Sequence, residues 1–184
     1  MSTSTKPMTA EELLQLPRGR FRYELINGEL KTMSPSGHNH GRIVTRLSSP
    51  LAQFVWDNEL GEVYGAETGF KLTSNPDTVL APDIAFITKR RVEEVGDTKG
   101  FWCGPPELAV AVMSPDDSDV EVKAKVTQWL EFGAKEVWVV NPTSRTVTTY
   151  RSELERMTLS EQDELQGGNI LPGFRIALSK LFQL

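Results

Sequence analysis

Lys125 is the most informative chemical group in this chain. In the segment after Ser118, Val122, Val126, Trp129 and Leu130 fall at i, i+4, i+7 and i+8, and Lys125 takes the i+3 slot of that apolar stripe. An ammonium there either stabilises negative charge in a site or snorkels to water from the stripe's edge, and spacing leaves both open. Asp83 comes second. Pro82-Asp83 opens an apolar strand with a carboxylate, which is a site residue or a turn aspartate at the strand's edge. His40 precedes Ile43, Val44 and Leu47 at helical spacing and so faces inward, as a site group or a satisfied core histidine. Lys89-Arg90-Arg91 and the scattered Arg18, Arg20 and Arg22 meet phosphates or line solvated loops. Trp129, Trp138, Phe132 and Phe54 read as core, and His38 and Cys103 carry no functional expectation.

These groups need elements to position them. Thr9 with Glu12 is a capping box that opens a short helix through Leu16, stopped by Pro17. Asn27-Gly28 between alternating runs predicts a β-hairpin. Residues 38–58 carry Ile43, Val44, Leu47, Leu51, Phe54 and Val55 at helical spacing, with a kink expected at Pro50. EVYGAETGFKL alternates as one strand, and Asn75-Pro76-Asp77 is a turn. Residues 83–88 and 107–113 read as two central apolar strands separated by the charged segment 89–100. Ser118 with Glu121 is a second capping box, opening a helix that ends at Gly133. EVWVVN and RTVTTYR are strands, and the turn-rich tail closes with a short helix at ALSKLF. This order points to an α/β fold: a mixed β-sheet flanked by α-helices, with an N-terminal helix and β-hairpin.

The 184 residues suit a single domain spanning 1–184, with residues 1–7 expected to be flexible. The 39% apolar and 24% charged composition excludes a disordered body. One cysteine, Cys103, excludes an internal disulfide and a cysteine-rich zinc site, which fits a reducing, cytoplasmic location. Apolar runs are too short for a membrane span, so no membrane partner is expected. The net charge of −5 argues against a basic nucleic-acid coat, although screening within about 8 Å still allows a local basic face.

YELINGEL, the 38–51 helix, APDIAF, PPELAVAVMSP and KVTQWLEFGAKEVWVVNP occur in an order that resembles the PD-(D/E)XK nuclease superfamily. More closely, the chain resembles its Uma family of bacterial restriction-endonuclease-like proteins, from about Met8 to the C-terminal region. The resemblance implies a restriction-endonuclease-like fold and Mg²⁺-dependent (or Mn²⁺-dependent) hydrolysis of DNA phosphodiesters by a homodimer. Asp83 becomes the first metal carboxylate, and Lys125 a catalytic lysine that has migrated from the strand to the helix. Glu24 and Glu67 match acidic positions of the pattern, Glu67 as a second metal ligand, and His40 matches a histidine that approaches phosphate or orients an acid.

Ala111 departs from the pattern. The family's V-E-V-L-S-P carries a glutamate where this chain has Val110-Ala111-Val112. Glu107, four residues back along a strand and so about 13 Å away, cannot replace it. Metal binding is therefore expected to be weak or DNA-dependent and activity low, and the rival expectation is an inactive nuclease-fold module that binds DNA or protein. Asp83, Lys125 and the Cβ of Ala111 are expected in one pocket.

Overall fold

The computed structural model describes residues 6–17, 21–114 and 117–183. Met1 to Thr5, within the segment expected to be flexible, and Arg18 and Arg20 of the scattered basic set lie outside the described residues. Helix α1 (Ala10–Leu14) has its capping box: Thr9 Oγ1 accepts from the Glu12 N–H, and Glu12 Oε2 accepts from the Thr9 N–H at 2.8 Å. Strands β1 (Arg22–Ile26) and β2 (Glu29–Met33) form the expected hairpin. Its turn needs positive φ at Asn27 (51°) and Gly28 (78°), and a Cβ on Gly28 would lie 2.4 Å from that of Pro7. Helix α2 (His38–Asp57) runs through Pro50 and buries Ile43, Leu47, Leu51 and Val55 along one face.

The segment expected to be one strand is two. It divides into β3 (Gly61–Gly65) and β4 (Phe70–Thr73) around a turn in which Glu67 has φ 74°, outside the extended region that a strand requires. The two halves enter different sheets. Strand β5 (Thr78–Leu80) follows, then β6 (Ile84–Thr88), helix α3 (Lys89–Val95) in the charged segment, and β7 (Trp102–Cys103). Next come β8 (Leu108–Val112), helix α4 (Asp119–Glu131), β9 (Glu136–Asn141) and β10 (Thr146–Tyr150). Strands β11 (Arg156–Ser160), β12 (Glu164–Gln166) and β13 (Arg175–Ala177) lead to helix α5 (Leu178–Phe182), the short closing helix.

The larger sheet has six strands in the order β11-β10-β9-β8-β6-β3, with β6 and β8 central as expected. It is mixed, because β8 and β9 run parallel with α4 as their crossover while its other pairs are antiparallel. A second sheet of five strands, β2-β1-β5-β4-β7, lies apart from it, and β12 pairs with β13. Period-two alternation sorts the side chains between layers. Ile84, Phe86, Val110 and Trp138 pack on one face with α2 and α5. Ala85, Ile87, Ala109 and Val139 pack on the other with Val126 and Trp129 of α4 and with Phe70, Leu80 and Trp102 of the smaller sheet. Ala10 and Leu13 of α1 cover the outer face of that sheet at Leu25 and Val79. Among the described residues no helix is long and apolar enough to cross a membrane.

Asp77 fastens α1 to this assembly. Its buried Oδ2 accepts from the Ala10 N–H at 2.8 Å and lies 3.0 Å from Lys71 Nζ, while its carbonyl accepts from the Gly28 N–H. Asp77→Ala strands a helix N–H and leaves the Lys71 ammonium with Glu11 as its remaining partner. It is expected to lower the urea midpoint without changing the slope, a loss of about 2 kcal/mol.

Candidate active site at the seam between the sheets

The end of β8 and the start of β6 meet the hairpin and the first turn of α2, and Asp83 stands at that junction. Its N–H donates to the Val110 carbonyl at 2.9 Å, and its Oδ2 accepts from the Val112 N–H at 2.8 Å. His40 Nε2 lies 3.3 Å from the same oxygen, and Arg22 Nη1 lies 3.6 Å from Oδ1. Burial would raise the pKa of this carboxyl. The His40 and Val112 hydrogen bonds and the charges of His40 and Arg22 outweigh it and hold the pKa below the ordinary aspartate value.

Strand periodicity puts Arg22 and Glu24 on one face of β1. Glu24 is buried; its Oε1 accepts from the Ala81 N–H at 3.1 Å, and its Oε2 lies 3.8 Å from Lys125 Nζ. Lys125 therefore reaches the site, but not as a buried lysine: its side chain is 46% exposed and bridges from the rim of α4 to Glu24. It takes the stripe-edge alternative because Val126 and Trp129 fill the interior beneath it.

Ala111 lies where the resemblance calls for a carboxylate. The Asp83 N–H bonds the Val110 carbonyl and its Oδ2 takes the Val112 N–H, so Ala111 is the residue between the two backbone groups that hold Asp83. Glu107 is held at the far end of β8, where Arg91 Nη1 lies 3.1 Å from its Oε1 and the Thr88 N–H and hydroxyl donate to it.

Glu67, on the β3–β4 turn, is exposed at the rim of a cavity of about 590 Å³ whose lining also includes Arg22, His40 and Ala81. It has no contact with Asp83. The structure thus links Asp83 with His40, and Glu24 with Lys125, while Glu67 stands off at the cavity rim. Arg22 adds a cation beside Asp83; in the sequence it stands only among scattered basic residues, and its i, i+2 relation to Glu24 is the signal that marks it.

The donor set does not fit a resident metal ion. Among the described residues no three His, Cys, Asp or Glu side chains converge on one point. Both oxygens of Asp83 and both of Glu24 already face N–H groups or cations. A divalent ion at Asp83 would sit beside the Arg22 guanidinium.

The chain has a restriction-endonuclease-like fold. It superposes on the crystal structure of "a putative nuclease belonging to DUF820" from Anabaena variabilis with a TM-score of 0.81 and 22% sequence identity, covering 96% of this chain and 98% of that one. Residues 10–179 match the family model described as "Uma2: Putative restriction endonuclease", and the chain belongs to that family. No curated protein sequence matches it significantly.

Because the folded pKa of Asp83 is lowered, its stabilising contribution is complete above the unfolded value of about 3.9 and is lost as pH falls through the folded value. Wild type and Asp83→Asn should therefore differ most in stability near neutrality, and their urea midpoints should converge as pH drops below about 3.9. In a second measurement, about 1 mM Mn²⁺ should shift the wild-type melting temperature by less than about 1 °C, because free protein offers no cage for the ion.

Proposed function

We propose that this protein engages DNA phosphates at the Asp83–Arg22–His40 and Glu24–Lys125 seam and that its phosphodiester hydrolysis is suppressed by the alanine at position 111. The observation that carries this reading is Ala111 between Val110 and Val112, the two residues whose backbone groups bond Asp83, within a fold and family of nuclease type. Hydrolysis of a phosphodiester builds negative charge on the phosphoryl oxygens while a water loses its proton. Lys125 is half in solvent and free to swing toward such charge, and Arg22 offers a second cation. His40 sets its Nε2 3.3 Å from Asp83, within reach of a proton at that carboxylate. The divalent ion that the family resemblance implies would need a carboxylate that Ala111 does not supply. Losing one electrostatic stabiliser of a transition state costs about 10²-fold or more in rate.

The specific observation that favours the rival, a binding module without catalysis, is the saturation of Asp83 and Glu24 by donors within the protein. Ala111→Glu separates the two. In Mg²⁺ or Mn²⁺ it should cut plasmid DNA about 10²-fold faster than wild type, and Asp83→Asn or Lys125→Ala should abolish the gain. Its melting temperature should rise with Mn²⁺, as wild type's does not, because an ion would relieve the repulsion between the added carboxylate and Asp83. A folded Ala111→Glu that cleaves neither duplex nor single strands and gains no stability from either ion would establish the binding-module reading.

A further inference from the structure

The cavity beside the seam has a construction that phosphate binding alone does not require. Its volume of about 590 Å³ lies in the range of small-molecule sites, and its walls include Leu13, Phe21, Met33, Val44 and Phe101. Arg22 and His40, the two groups that face Asp83, line the same cavity. Arg22 carries its guanidinium to 3.6 Å from Asp83 Oδ1, so a cation stands at the inner wall of the cavity. Phe21 is 49% exposed, an aromatic face left in water where the chain enters β1.

We propose that this cavity receives one nucleotide, its base against the apolar and aromatic walls and its phosphate toward Arg22 and His40. The inference rests on the reading of the seam as a phosphate site and extends it from backbone contact to a single unstacked nucleotide. The apolar and aromatic part of the lining suits the faces of a planar base, which stacks on aromatic side chains whatever its sequence. The charged residues occupy part of the lining, as a phosphate joined to that base requires. A nucleotide of this kind comes from two sources, a base swung out of a duplex or a free nucleoside monophosphate.

Gly41 supplies a variant that fills the cavity without disturbing the fold. It lines the cavity on α2, its φ is not positive, and a Cβ built on it meets nothing within 4 Å. Gly41→Leu should therefore fold at least as stably as wild type, since leucine is also the better helix former. Calorimetry with deoxyadenosine monophosphate, with deoxyadenosine, with a fully paired duplex and with the same duplex carrying a single-nucleotide bulge tests the proposal.

Wild type should bind the bulged duplex about 10-fold more tightly than the paired one, or the monophosphate about 10-fold more tightly than the nucleoside. Gly41→Leu and Phe21→Ala should erase the preference, and Arg22→Gln should erase the distinction between monophosphate and nucleoside. Preference for the bulge identifies the source as DNA; binding of the monophosphate with no duplex binding identifies a free nucleotide and refutes the DNA reading. Equal binding of both duplexes, with no monophosphate binding, overturns the nucleotide cavity and leaves the DNA reading standing. A bulge or monophosphate preference that survives in a folded Gly41→Leu also overturns it, and binding of none of the four overturns both.

Discussion

A buried carboxylate that joins three separate pieces of chain governs this structure. Asp83 accepts from the Val112 N–H at the end of β8, while His40 on α2 and Arg22 on β1 lie 3.3 Å and 3.6 Å from its two oxygens. Without it the hairpin and the long helix would share no polar anchor with the central strands at this end. A carboxylate taken out of water must be met by donors or give up its charge. The partners that keep Asp83 ionised also fix where the hairpin and helix lie, so electrostatic need and tertiary geometry are satisfied by the same contacts.

That principle recurs in the buried acids Glu24 and Glu136 and in the partly buried Glu107. Glu24 has the Ala81 N–H and Lys125, and Glu107 has Arg91 and Thr88. Glu136 is 3% exposed and accepts from Trp138 Nε1 at 2.8 Å, with Arg151 beside its other oxygen. Each acid is met by at least one donor from a distant part of the chain. Any anion placed at the seam would compete with Asp83 for Arg22 and with Glu24 for Lys125, so its net attraction would depend on salt.

Much of this was legible in the sequence where local chemistry decides. Both capping boxes, the Asn27-Gly28 turn and the α2 stripe come from interactions within a few residues of each other, and they stand as the spacing implies. The family also could be read, because its motifs are contiguous segments in a fixed order. Partition between the sheets was not legible: the alternation in residues 62–72 is continuous, and only Glu67 in a left-handed conformation breaks the strand. Lys125 shows the same limit in the site. Helical spacing places it at the stripe, but whether its ammonium turns to solvent depends on Trp129 and Glu24, which spacing within one helix does not see. Arg22 escaped for a related reason, since its partner Asp83 is sixty-one positions away and only the folded chain brings them together.

The pairing of Lys125 with Glu24 has a consequence for how such a protein changes over generations. A lysine that depended on the residue at position 111 for its only counter-charge would be stranded by an alanine there, and the fold would suffer with the activity. Here the ammonium keeps both a carboxylate neighbour and access to water. Substitution at position 111 therefore does not by itself cost Lys125 its ion pair, so that route of change leaves the attachment of the helix to the hairpin in place.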